Sequence, residues 1–183
     1  MSKPVDSSDV LDFWFSERVK PLWFKKKDEF DREIKQRFID IYQLAKTGAL
    51  DGWREDATGT LALIIVLDQF PRNMFRNTAQ AFATDSQAVE LTKYAVNSNY
   101  QQELTPEQQC FLYMPLMHSE SRVEQALSVE LFEKLGRQDN LNYAIKHQEV
   151  IDRFGRFPHR NKILGRQSTA AEKEFLNQPG ASF

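Results

Sequence analysis

The chain has 183 residues, 41% of them hydrophobic, and a formal net charge of −2; this balance suits a globular protein with a buried core and speaks against general nucleic-acid binding. A single cysteine excludes an intramolecular disulfide framework and a cysteine-based zinc site. The N-terminus has no signal-peptide pattern and no apolar run approaches the roughly 20 residues that span a bilayer, so we expect a cytoplasmic protein with no membrane partner.

The first part of the chain carries two helical patterns. Ser7 or Ser8 is expected to cap a first helix rich in aromatic residues. A long amphipathic helix should begin near Asp28, carry one apolar stripe and end at Gly48. The three lysines at positions 25–27, just before this helix, are interpreted as a solvated surface.

The most apolar segment, residues 61–67, has a length that would also suit a buried strand. Because no second strand-like run could pair with it, we predict a buried helix that stops at Pro71. Another helix is expected over about 85–98. Thr105, followed by proline and by glutamine at the capping-box position, predicts the start of a helix that Pro115 should kink or end.

Further helix signals follow in the last third of the chain. The patterns S-x-x-E from Ser121 and T-x-x-E from Thr169 are capping boxes that each open a helix. Between them, a helix should begin near Asp139 and close at Gly155, which can adopt a left-handed conformation. Pro158 then prevents the helix from continuing.

These patterns predict an all-α fold: an array of antiparallel helix hairpins with seven to eight helices and short loops. Residues 1–183 should form a single helical domain, with 1–6 and 178–183 as loose tails. Nothing in the chain reads as a linker or as a low-complexity segment.

Positive charge is concentrated after the expected end of the helix at Gly155. Between residues 152 and 166 the chain has five arginine or lysine residues against Asp152 alone, a local charge of +4. Guanidinium groups offer forked donors to carboxylate or phosphate. Such a cluster needs anionic partners, which either the protein or a ligand must supply.

A similar arrangement occurs earlier in the chain. The string 70–73 runs Phe-Pro-Arg-Asn, and 157–161 runs Phe-Pro-His-Arg-Asn. The three histidines of the chain lie in or beside these strings or in the polar cluster at 117–120. The hypothetical ligand-binding site therefore comprises Arg72, Asn73, Arg76, His118, Glu120, His147, Arg153, Arg156, His159, Arg160, Asn161 and Arg166.

Three strings carry a resemblance to a known family: residues 67–73, 113–120 and 154–161. Together they resemble the bacterial family catalogued as domain of unknown function 924, and the resemblance extends over residues 10–176. It implies an all-helical fold similar to tetratricopeptide-repeat domains. It implies no established activity, so it assigns no catalytic residue.

Several interpretations of the cluster remain open. The arginines could be internal scaffolding, or they could line a pocket for a small anionic molecule, in a binding protein or in an enzyme that acts on that molecule. A tetratricopeptide-like adaptor that holds a protein or peptide in a groove is the alternative. The local charge excess favours a ligand role for Arg156 and Arg160. Because the spacing of the histidines and Glu120 matches no known metal signature, we expect no metal and no cofactor.

Overall fold

The computed structural model describes residues 5–181, and every regular element in that range is helical, with no strand. The helices are α1 (Ser7–Trp14), α2 (Asp28–Lys46), α3 (Ala57–Ile64), α4 (Phe70–Met74), α5 (Asp85–Asn97), α6 (Pro106–His118), α7 (Arg122–Leu135), α8 (Gln138–Phe154) and α9 (Ala170–Leu176). With α3 and α4 joined into one run, this part of the chain has eight helices, which confirms the predicted fold class. None of them is long and apolar enough to cross a bilayer.

The beginning of α1 differs from the prediction. The N-cap is Asp6 rather than Ser7 or Ser8: its carboxylate accepts a hydrogen bond from Asp9 N–H, and the Asp9 carboxylate accepts one from Asp6 N–H. This reciprocal pair satisfies two N–H groups that would otherwise lack acceptors. Asp6 falls in a predicted loose tail; residues 1–4 and 182–183 of those tails lie outside the described residues.

Two of the three predicted capping boxes, those beginning at Thr105 and Thr169, are confirmed. The box predicted at Ser121 was wrong, because the Ser121 side chain makes no capping bond. Glu124 instead accepts a hydrogen bond from the Ser119 hydroxyl. The Glu124 carboxylate, which the sequence pattern assigned to the cap, is therefore bound by Ser119 instead.

The helix through the most apolar segment does not stop at Pro71, so that prediction was wrong. Residues Ile65–Gln69 form a π turn, in which Phe70 N–H donates to Ile65 O, and α4 begins at Phe70. Pro71 therefore lies in the first turn of α4, where a missing N–H costs little. Pro115 does not end a helix either, since α6 continues to His118.

Contacts divide the chain into two compact units. Within the described residues, the first contains 5–76 together with 80–115, and the second contains 77–79 together with 116–181. The prediction of one domain over 1–183 stays a prediction, and so does a tetratricopeptide-like arrangement of its helices.

The core of the first unit is aromatic. Trp14 is fully buried, and its ring lies 5.7 Å from both Phe70 and Phe111, edge to face. Phe38 packs 4.7 Å from Phe70 and 4.9 Å from Phe13. Aromatic pairs at these distances add stabilisation beyond the burial of their area. They join α1, α2, α4 and α6 within this unit.

The second unit contains a helix hairpin, α7–α8, which turns at Gly136 in a left-handed conformation. A small core is formed by Val150 and Ile151 of α8 and by Phe157, with Phe154 and Phe175 packed against it. The core fixes the end of α8 against the loop that follows it and against α9. This is the framework that holds the arginine-rich segment.

Candidate functional site

Arg72 pairs with acids of its own unit. Its guanidinium donates to both carboxylate oxygens of Asp85, at 2.9 and 3.0 Å. It also donates to the backbone carbonyl of Asp68 at 2.6 Å and lies 3.1 Å from the Asp68 carboxylate. Asp68 belongs to the π turn and is fully buried, so Arg72 compensates a charge that has no access to water.

Asn73 and Arg76, the next two predicted site residues, both bind Asp31 of α2. Asn73 Nδ2 donates to Asp31 at 2.8 Å, and Arg76 donates through two nitrogens at 2.6 and 2.8 Å. The hydrogen bond from Arg76 to Asp31 is the main reason why the pKa of Arg76 is raised. These contacts have the form of a scaffold that connects α4 to α2.

In the second unit, Arg166 makes a forked pair with Glu120, at 2.7 and 2.9 Å. The same carboxylate accepts Phe157 N–H at 2.8 Å. Burial raises the pKa of Glu120, but the hydrogen bonds from Arg166 and Phe157 outweigh burial and lower it. Asn161 extends this network, because its side-chain oxygen accepts Arg166 Nε at 2.9 Å and its amide donates to Ser168 at 3.0 Å.

Arg156 makes a second forked pair, with Glu172 of α9, at 2.6 and 2.9 Å. Mainly through this hydrogen bond, the pKa of Glu172 falls to about 2. Glu120 precedes the segment 152–166 and Glu172 follows it, so a charge count within the segment missed both acids. The inference of an uncompensated charge of +4 was therefore wrong.

The second unit also brings the three histidines around Phe157 and Arg160. The rings of His118 and His147 lie 6.4 Å apart, and Phe157 lies 5.5 Å from His147 and 5.6 Å from His159. Arg160 lies 4.6 Å over the Phe157 ring and donates to His118 O at 2.9 Å. The structure thus assembles five side chains that come from three segments of sequence.

Two of these imidazoles are neutral at pH 7. Burial, reinforced by His118 and by Arg160, lowers the pKa of His147 to about 3. Burial and Arg160 lower the pKa of His159 to about 4. His147 Nδ1 lies 2.8 Å from the Tyr143 carbonyl, so this nitrogen carries the proton and Nε2 keeps its lone pair. Within residues 5–181, no group of three or more histidine, cysteine or acidic side chains could hold a metal ion.

Arg153, in the last turn of α8, differs from the other predicted arginines. Its side chain is exposed, and its guanidinium lies 4.7 Å over the ring of Phe154 and 5.9 Å from that of Phe175. No carboxylate among residues 5–181 pairs with it. Its five N–H donors are therefore free of acidic partners in the described chain.

Arg153 borders a surface depression of about 480 Å³ in the second unit. The depression is lined by Arg153, Phe154, Arg156, Thr169, Ala171 and Glu172. The Arg156 charge is balanced there by Glu172, so Arg153 leaves the surface positive. The histidines are not among the lining residues.

Some partners were missed by sequence reasoning although a signal existed. Glu172 was identified as a capping residue, and the structure adds that the same carboxylate binds Arg156. Asp31 and Asp85 lie in the first turns of α2 and α5, and the sequence did not point to them as partners of arginine. Their partners on α4 are distant in sequence, and periodicity cannot show such pairs.

Comparison with known proteins gives two matches and one negative result. A family model described as "Bacterial protein of unknown function (DUF924)" matches residues 10–180. A solved structure of a protein of unknown function from Agrobacterium tumefaciens is similar, with 38% sequence identity and a TM-score of 0.90 over 94% of this chain and 97% of that chain. No curated protein matches the chain.

Proposed function

Since the chain belongs to the bacterial family of unknown function DUF924, as its three sequence strings predicted, we propose a function from its own side chains: it binds a small anionic ligand in the depression beside α8. The observation that supports this proposal is Arg153, an exposed guanidinium with no acidic partner in the described chain, at the edge of a concave surface.

The other arginines support the choice of Arg153 by contrast. Arg156 and Arg166 each bind a carboxylate with two nitrogens, and a ligand would have to compete with that fixed pair. Arg153 offers its donors without such competition. The ligand role that the sequence suggested for Arg156 and Arg160 is thus better assigned to Arg153.

The chemistry of the depression suggests the class of ligand. A guanidinium fork matches a carboxylate or phosphate group, and the Thr169 hydroxyl can donate a further hydrogen bond because it serves as an acceptor in the helix cap. The ring of Phe154 offers an apolar face. A metabolite with one anionic group and a small apolar or planar part fits these three features.

Thermal unfolding in increasing phosphate, against sodium chloride of equal ionic strength, tests the proposal. Bound phosphate should raise the melting temperature of the wild type by mass action. Arg153→Ala should respond less. Arg137→Ala is the matched control, since Arg137 is an exposed arginine next to the opposite end of α8 and its side chain caps nothing.

The control variant should keep the full response to phosphate. An equal phosphate response in Arg153→Ala and the wild type would remove Arg153 from the site. The absence of any response to phosphate or to a dicarboxylate such as malonate in the wild type would defeat the proposal itself.

A further inference from the structure

A second surface lies in the first unit, just before α2, and is defined here by Phe24, Lys25, Lys26 and Lys27. Phe24 is 76% exposed, the second most exposed large apolar side chain of the described chain after Val123. A ring that is this exposed gains little burial energy within its own unit. Packing of the core therefore does not explain why a phenylalanine lies at this exposed position.

The support of Phe24 is firm. Its ring lies parallel to Phe111, with 6.4 Å between centroids and 4° between planes, and 6.3 Å from Trp23. Trp23 is fixed in turn, since its Nε1–H donates to the Trp14 carbonyl at 2.9 Å. Phe24 thus packs on the aromatic core of this unit while most of its side chain remains exposed to solvent.

The three lysines beside Phe24 are all exposed, and no ion pair joins them to any residue in 5–181. Lys20, four positions before Phe24, shows the contrast: it pairs with Glu17 at 3.0 Å and with Glu107 at 3.2 Å. Lys20 is thus paired with acidic residues of its own chain, whereas Lys25, Lys26 and Lys27 are not. The run keeps its positive charge available.

A depression of about 480 Å³ adjoins the lysine run, lined by Lys26, Lys27, Asp28, Glu29 and Arg32. The lining therefore offers cationic donors together with two carboxylates. A partner that uses both must present acids and N–H donors close together.

We propose that this surface binds an acidic peptide segment of a partner protein, with one apolar side chain seated on Phe24. The glutamate or aspartate side chains of the segment would meet Lys25, Lys26 and Lys27, and its backbone N–H groups would meet Asp28 and Glu29. A phospholipid headgroup surface is less suited, because it has no row of backbone N–H groups to donate to Asp28 and Glu29. The inference is independent of the anion proposal, since it concerns the other unit.

Fluorescence anisotropy with a labelled probe, a short peptide of glutamates around one central leucine, tests the inference. We expect saturable binding that weakens as salt shortens the range of the electrostatic attraction from about 30 Å at 0.01 M to about 3 Å at 1 M. A peptide with lysines in place of the glutamates should not bind. Replacing the central leucine by serine should weaken binding several-fold.

Two variants and two matched controls connect the binding to this surface. Phe24→Ala and the triple variant K25E/K26E/K27E should each reduce binding at least tenfold. Val123→Ala, which removes an apolar side chain that is 79% exposed elsewhere, and K146E/K162E/K173E, which makes the same charge change in the second unit, should leave binding unchanged. All four changes are at exposed positions, and thermal unfolding checks that the fold is kept.

Three results would overturn the inference. One is the absence of binding by the wild type to the glutamate–leucine peptide. The second is equal loss of binding in the variants and their controls, which would indicate general charge attraction. The third is binding to phosphatidylserine vesicles that depends on Phe24 and the lysines while the peptide does not bind, which would assign the surface to a membrane.

Discussion

The two Phe-Pro strings of the chain are similar in sequence and differ in structure. The string at 70–73 continues a helix, because the π turn before it places Pro71 in the first turn of α4. The string at 157–161 follows Gly155 in a left-handed conformation and forms a 3-10 turn at Pro158–Arg160. The residues before the proline decide whether the chain continues as a helix or leaves it.

The two strings also differ in how their arginines are paired. In the first, Arg72 and Arg76 bind acids that are buried or half-buried. On either side of the second, Arg156 binds the buried Glu172 and Arg166 binds the half-buried Glu120, whereas Arg153 has no acid in the described chain. A scaffold and a candidate binding surface can therefore share one type of sequence string, and mutation should separate them.

The largest effect is expected for Arg72→Ala. The change removes the cation next to Asp68, which is fully buried, and breaking a buried pair from one side costs about 3–5 kcal/mol. Urea denaturation at pH 7 measures the loss. Arg32→Ala, an exposed arginine of α2, should cost less than about 0.5 kcal/mol, and a similar cost for both would refute the scaffold role of Arg72.

Lowering the pH should destabilise the second unit, because this unit contains all three histidines. The pKa of His147 in the folded chain is about 3 and that of His159 about 4, below the unfolded value of about 6.5. The unfolded chain therefore binds protons first as the pH falls. The contribution of neutral histidine is complete above pH 6.5 and is lost between pH 6.5 and these lower values.

Each of these histidines should remove up to about 1.4 kcal/mol per pH unit within that window. The stabilising contribution of Glu172, which has a pKa of about 2, is complete above about pH 4.5 and is lost only below that pH. Hydrogen exchange at pH 7 and pH 5 tests this order, with loss of protection expected in α7 and α8. Protection lost first in α2 and α5 of the first unit would contradict it.

An intermediate effect is expected for Arg166→Ala. The forked pair with Glu120 is half-buried, with side-chain exposures of 24% and 28%, and a carboxylate deprived of its donors costs about 1–3 kcal/mol. The pKa of Glu120 should rise, because the hydrogen bonds from Arg166 that lower it are lost. Chemical denaturation gives the stability, and Arg166→Lys should recover part of it but not the fork.

How far the sequence predicted this molecule depends on the range of the interaction. Local signals worked: the capping boxes at Thr105 and Thr169 and the stripe of α2 are properties of neighbouring residues. The π turn before Pro71 was not predictable, because it depends on how that helix packs in its unit. The charge count failed because Glu120 and Glu172 lie outside the segment whose arginines they bind.

The smallest effect on stability is expected for Arg153→Ala, and this variant separates site from scaffold. Its guanidinium contacts only the rings of Phe154 and Phe175 among the described residues, and an exposed cation–π contact contributes about 0.5–1 kcal/mol. Arg166→Ala should cost clearly more in the same urea titration.

The stabilisation that phosphate adds should follow the opposite order. Arg166→Ala should still be stabilised by phosphate, relative to its own lower stability without phosphate, whereas Arg153→Ala should be stabilised little. A loss of stability in Arg153→Ala as large as that in Arg166→Ala would show that Arg153 is part of the scaffold. A side chain that serves to bind a ligand contributes little to the stability of the ligand-free protein.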